Sequence, residues 1–275
     1  MQKLINDPAD AVTESLIGLQ LAHPQLLRVR FDPPVVIRAG APLPGKVAII
    51  SGSGSGHEPL NVGYVGQGML DAACPGDVFA APPTDFVVEA ARRVKSDKGV
   101  LLLVNNYTGD KMAFEMAEEL AAAEGIKVRT LFIDDDVAVK DSLYTIGRRG
   151  VAGNFFVIKA VGAAAEAGKD LDEIVRIGEK VNAVTRTMGV ALTACTPPAK
   201  GEPLFEIGDD EIEVGIGIHG EPGRARQKWV PANEIVDWVS ALVHVASVTV
   251  FPLKIIARPL PLITVSGTGF LATSV

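Results

Sequence analysis

The stretch from Gly99 to Ile133 constrains this chain most. Gly99 to Val104 reads Gly-Val-Leu-Leu-Leu-Val, an uncharged apolar run of strand length with no alternation, as expected of a strand buried on both faces. A helix is predicted over about 111–124, with Phe114, Ala117, Leu120 and Ala121 inward and Gly125 as its stop. Lys127 to Ile133 reads as a further strand. Strand–helix–strand spacing of this length implies a right-handed parallel unit, and such sheets gather ligands at the carboxyl ends of their strands. Lys46 to Ser51, Lys-Val-Ala-Ile-Ile-Ser, predicts another buried strand, running into a Gly/Ser loop at 52–56. The chain is therefore expected to be α/β with mainly parallel or mixed sheets.

Two histidines lie beside glycine-spaced strand ends. Gly215 to Gly223 reads Gly-Ile-Gly-Ile-His-Gly-Glu-Pro-Gly, and Gly52 to Pro59 reads Gly-Ser-Gly-Ser-Gly-His-Glu-Pro. Glycine at alternate positions clears one face of a strand, so a ligand can approach His219. Taken by itself, the 215–223 stretch also fits a strand end closed by a Glu-Pro-Gly turn. The second stretch, ending in His57, points to one shared site. The 52–56 loop is no dinucleotide fingerprint, because its third position falls on His57, and no phosphate-binding Gly-Lys-Ser/Thr follows. Its backbone N–H groups suit the oxygen atoms of a small polar ligand. Asp110, like His57, is placed just after a strand end.

Composition narrows the function. The 275 residues are 48% hydrophobic and 21% charged, enough for a large core, and the formal net charge of -7 argues against a nucleic-acid partner. Cys74 and Cys195 have no metal-ligand spacing and read as reduced thiols of a cytoplasmic protein. Phe, Trp and Tyr make up only 5% of the chain, which disfavours a stacking surface for bases.

Elsewhere, a helix over 10–22 places Val12, Leu16 and Leu19 on one face and ends near His23, before Pro24. The three carboxylates of Asp134, Asp135 and Asp136 cannot all face one ion, and a solvated loop is predicted there, with no metal. Arg148 and Arg149 could hold an anion or neutralise those aspartates. Helices follow over about 151–167 and 170–188, then an apolar run, Val190 to Cys195, and a turn and strand over Glu206 to Ile218. Asn233 to Val243 predicts a helix. Beyond it, the runs Val245 to Val250, Leu253 to Ala257 and Leu260 to Val265 are broken by Pro252, Pro259 and Pro261, so a membrane span is not expected. No acidic residue follows Asp237.

With these residues in hand, the chain resembles the dihydroxyacetone kinase family, specifically its substrate-binding K subunit. The landmarks are Lys3 to Asp7, Gly52 to Pro59, Asn106-Tyr-Thr-Gly-Asp110, Asp134 to Gly150 and Gly215 to Gly223, in order from Met1 to about Gly223. The resemblance implies that His219 adds through a ring nitrogen to a substrate carbonyl, giving a covalent hemiaminal. It implies Asp110 as the base for the terminal hydroxyl, His57 as a hydrogen-bonding partner of the substrate, and Gly54 as a backbone donor. A neutral imidazole is a competent nucleophile for a ketone, and a polyol offers it no carbonyl. The family implies no cofactor on this chain. ADP or ATP with Mg is expected on a nucleotide-bearing L-type partner subunit, served in some members by a phosphotransferase-system phosphodonor, and a homodimer is expected.

Two departures bear on activity. Asn105 occupies a substrate-site position where members often carry lysine, so one positive charge is absent. The family's second domain normally continues well past the histidine motif. Two domains, 1–185 and 186–275, are expected, the second incomplete, with a tail over 239–275 that is an alternative terminus, a truncation or a shifted reading frame, its acid-free, proline-broken composition favouring the last two. The alternatives to a kinase subunit are a ketone-binding sensor or co-activator and an inactive truncated product.

Overall fold

The computed structural model describes residues 3–139 and 147–247. The tail runs predicted beyond 247, and residues 140–146 of the Asp134 to Gly150 motif, lie outside the described residues.

Six strands build the main sheet: β1 (Leu27–Phe31), β2 (Pro34–Arg38), β3 (Ala48–Ser55), β4 (Ala72–Val78), β5 (Val100–Asn105) and β6 (Val128–Ile133), in the order β1-β2-β4-β3-β5-β6. The β1–β2 and β2–β4 pairs are antiparallel, and β4, β3, β5 and β6 run parallel. Helices α2 (Thr84–Val94) and α3 (Thr108–Ala123) cover one face, while α4 (Gly153–Glu166) and α5 (Leu171–Val184) cover the other, α1 (Ala11–Ala22) lying against β1. Burial on both faces is why the central strands carry no polar alternation. Ile50, Leu102 and Val104 meet Phe114 of α3 on one side, and Ile49, Leu101 and Leu103 meet Val157 and Ile158 of α4 on the other. Ile49, Ile50, Leu101, Leu102, Leu103 and Ile133 are at most 1% exposed. At roughly 1.5–3 kcal/mol each, they outweigh surface ion pairs such as Arg129–Asp172, worth about 0–1 kcal/mol apiece.

A smaller antiparallel sheet follows, β7 (Val190–Ala191), β8 (Glu211–Val214) and β9 (Ala225–Lys228), packed through Ile212 and Val214 on Val239 of α6 (Ala232–Ser247). Among the described residues, no helix is long and apolar enough to cross a membrane.

Several expectations need correction. Gly52 to Ser55 is no loop: β3 continues through it, paired with β4 from Gly52–Cys74 to Ser55–Val78. The β3–β5 ladder stops earlier, at Ser51–Leu103, so the two strands part at their carboxyl ends. The connections from β3 and β5 also leave in opposite directions, which makes this gap the topological switch point. Helix α3 begins at Thr108, three residues before the predicted start, and Leu120 points outward at 48% exposure, because the buried stripe runs Asp110, Phe114, Ala117, Ala121. The strand predicted up to Ile218 ends at Val214, and the histidine motif is a turn between β8 and β9. The predicted helix over 233–243 extends to Ser247, taking in the first residues of the run that was expected to begin at Val245.

The predicted solvated loop at Asp134 to Asp136 is the largest departure. Asp135 and Asp136 are 0% and 1% exposed. Asp135 accepts from the Val151 and Gly153 N–H groups at 2.8 and 2.9 Å and from the Thr187 hydroxyl, so it caps the entry to α4. Asp136 pairs with Arg149, and Asp134 with Arg148 at 3.0 Å. Of the two roles open to the arginine pair, neutralising the aspartates is the one the fold uses. Desolvation pushes both buried carboxyls up, and the Arg149 guanidinium opposes this at Asp136.

Candidate active site

The gap between β3 and β5 receives side chains from four segments. His57 follows the end of β3, Phe79 the end of β4 and Tyr107 the end of β5, while Asp110 sits in the first turn of α3. His219 arrives from the β8–β9 turn. Its ring lies edge-on to His57, with centroids 4.8 Å apart, and to Tyr107 at 4.7 Å. Phe79 stacks on His57 at 4.8 Å and 18°. Phe79 holds φ 60, a left-handed backbone that a bulky residue adopts only when its surroundings impose it. Those surroundings include Gly54, where a Cβ would lie 2.6 Å from the Ala80 nitrogen. Glycine at 54 therefore lets the β4 turn close over β3.

Glu221 is 6% exposed and grips His219 twice. Its Oε2 accepts from the His219 backbone N–H at 2.9 Å, and its Oε1 lies 3.2 Å from Nδ1 of the ring. A carboxylate there holds the proton on Nδ1 and leaves the lone pair on Nε2. Burial works against the Glu221 charge, but its bonds to His219 outweigh that and keep its pKa below the ordinary value. A cleft of about 520 Å³ opens beside the ring, lined by Phe79, Tyr107, Asp110, Leu204, His219 and Pro222 among others.

Burial tunes the groups around this cleft. Desolvation first, and the neighbouring His219 second, lower the His57 pKa to about 3, so His57 is neutral at physiological pH. Desolvation raises Asp110 to about 6, against the opposing influence of His219, which suits a general base working near neutrality. The Tyr107 phenol is pushed well above its usual range, by burial first and by the Glu221 charge second. Among the described residues, His57 Nε2, the Asn105 amide, Tyr107 OH and Asp110 Oδ1 are buried with no hydrogen-bond partner.

The structure thus places His219 and Asp110 on one cleft, with His57 packed against the His219 ring but not among the residues that line the cleft. Gly54 lies in the parted end of β3, with its open side filled by Phe79 and Ala80. Asn105, 1% exposed at the last position of β5, lies behind the residues lining the cleft. Glu221, Phe79 and Tyr107 carried no assigned role in the sequence reading. The His-Gly-Glu spacing held the signal for Glu221, whereas nothing local marks Phe79. Among the described residues no group of three or more His, Cys, Asp or Glu side chains could hold a metal ion.

An imidazole and a carboxyl group raised to a pKa of about 6, lining one cleft of about 520 Å³ at the switch point of the sheet, make this the candidate site for a small ligand. The chain belongs to the Dak1 domain family, which it matches over residues 17–250. It is 53% identical over 237 residues to the dihydroxyacetone-binding subunit DhaK of the PEP-dependent dihydroxyacetone kinase of Escherichia coli, covering 86% of this chain and 66% of that protein. It is 47% identical over 269 residues to the corresponding subunit of PTS-dependent dihydroxyacetone kinase 1 of Listeria innocua, covering 98% and 80%. The crystal structure of the dihydroxyacetone kinase of C. freundii superposes with a TM-score of 0.83 at 36% identity, over 89% of this chain and 45% of that one. The dihydroxyacetone kinase operon co-activator Dha-DhaQ superposes with a TM-score of 0.77 at 35% identity, over 85% and 71%.

Proposed function

We propose that this chain is the dihydroxyacetone-binding subunit of a dihydroxyacetone kinase, capturing a short ketose on His219 and presenting its terminal hydroxyl for phosphorylation. The observation that carries this reading is the Glu221 contact to Nδ1 of His219, in the same cleft as Asp110. The Nε2 lone pair forms a bond to the carbonyl carbon, the carbonyl π pair moves to oxygen, and that oxygen is protonated through water as the ring gives up its Nδ1 proton on the Glu221 side, so the neutral hemiaminal forms with no net gain or loss of protons. Neutral His57 offers a hydrogen bond to the captured substrate. Asp110 removes the proton of the terminal hydroxyl as that oxygen attacks phosphorus. We assign the phosphoryl donor to a separate nucleotide-bearing partner subunit with Mg, fed by a phosphotransferase-system relay. We also read the protein as a cytoplasmic homodimer whose chain divides into two α/β domains near residue 185.

Retention of ketone through dialysis tests the capture step. His219→Ala is expected to lose it, whereas His23→Ala keeps it, since His23 only closes α1. Unchanged retention in His219→Ala refutes the assignment. A second reading, a ketone-binding co-activator, is favoured by the neutral Asn105 and by the likeness to the operon co-activator. Ketone phosphorylation assayed with a nucleotide-bearing L-type subunit separates the two.

A further inference from the structure

The aspartate–arginine motif has an unassigned member at the back of the site. Arg149 is 0% exposed and is not among the residues lining the cleft. Its backbone is anchored to the carboxyl ends of the main-sheet strands. The Asp136 N–H donates to the Arg149 carbonyl at 2.9 Å, and a Cβ on the adjoining Gly150 would meet the Ile133 oxygen at 2.2 Å and the Asn105 Cα at 2.9 Å. Its side chain reaches the other way. Nε donates to Asp136 Oδ2 at 2.7 Å, Nη2 lies 2.6 Å from the same oxygen as an ion pair, and Nη2 donates to the Gly215 carbonyl at 2.8 Å, at the root of the turn bearing His219. The third nitrogen, Nη1, has no hydrogen-bond partner among the described residues; it lies 2.7 Å from where a Cβ on Gly217 would stand, and Glu221 Oε2 lies 2.0 Å from that same point.

We propose that Arg149, held by Asp136, is a positioning residue that sets the placement of His219 and Glu221 relative to Asp110. The base stands on the main sheet through α3, whereas the nucleophile stands on the β8–β9 turn. The guanidinium spans the two, and its planar fork satisfies Asp136 and Gly215 at once, which a lysine ammonium cannot do with the same geometry. This rests on the reading of His219 as the capturing residue and Asp110 as the base. A misplacement of about 1 Å between reacting groups costs up to roughly 100-fold in rate.

Two readouts on Arg149→Lys test it. With ketone, donor and partner subunit supplied, kcat is expected to fall about 10–100-fold, while ketone still occupies the folded protein at saturation. In hydrogen exchange, the Gly217 and His219 amides, bonded to the Glu221 carbonyl and carboxylate, are expected to exchange faster, with Leu102 in β5 unchanged. Asp136→Asn keeps an acceptor for the guanidinium but loses the charge, and should fall between wild type and R149K on both readouts. Wild-type kcat together with wild-type exchange in R149K overturns the proposal, as does faster exchange at Leu102 to the same degree. If R149K does not fold, wild-type values in D136N overturn it instead. Should the wild-type protein neither retain nor support phosphorylation of the ketone, the functional reading falls, and the exchange measurements still decide the role of Arg149.

Discussion

Asp110→Asn is expected to make the protein more stable and far less active, in a manner set by pH. Asp110 is 5% exposed, and desolvation raises its pKa from 3.8 to about 6. The shift is about 2 units, on the order of 3 kcal/mol at about 1.4 kcal/mol per unit. Below about pH 4 the carboxyl is protonated in both folded and unfolded chains, and burial costs nothing electrostatic. Between about pH 4 and 6 the unfolded chain releases its proton first, so the folded state loses stability as pH rises, and above about pH 6 the full cost is present. Asparagine carries no charge to desolvate. Thermal melts of D110N and wild type should therefore nearly coincide near pH 4 and separate at pH 8, with the variant higher by several degrees for a chain of this size. Turnover with the partner subunit should fall by about 10²–10⁴-fold in D110N. In the wild type it should rise with pH through a midpoint near 6, and ketone retention should survive the substitution because His219 is intact. If D110N melts no higher than wild type at pH 8, Asp110 is not held against its charge. If turnover persists, another group is the base.

His57→Gln should remove an acid sensitivity. The folded pKa of His57 is lowered to about 3 by burial, so below about pH 6.5 the unfolded chain takes up a proton that the folded chain refuses. Stability is expected to drop between about pH 6.5 and 3 in wild type, by on the order of 5 kcal/mol, and to drop less steeply in H57Q by chemical denaturation. Gly217→Ala should abolish ketone retention in a still-folded protein, because the new Cβ would sit 2.0 Å from Glu221 Oε2 and 2.7 Å from Arg149 Nη1. Full retention in G217A would show that the turn relaxes without disturbing the Glu221 grip.

The amino-acid sequence by itself determined the parallel core and singled out the candidate site residues. Val100 to Val104 and Ala48 to Ile50 are apolar at every position, and only a strand covered on both faces uses such a run. His57, Asp110 and His219 were legible because chemistry-bearing residues beside glycines at strand ends are a local pattern. Where partners lie far along the chain, local pattern fails. Gly52 to Ser55 has the composition of a loop, yet it is strand because β4 supplies the ladder. The short polar strand β9 exists because β8 pairs with it at all four positions. Three adjacent aspartates read as solvated, since the sequence leaves open whether Arg148 and Arg149 neutralise them or hold an anion. Asp135 is buried because Val151, Gly153 and Thr187 converge on it, and Asp136 because Arg149 does. Only the tertiary structure could decide that, because the cost of burying a carboxylate is set by donors that folding brings within about 3 Å, and sequence order does not record that distance.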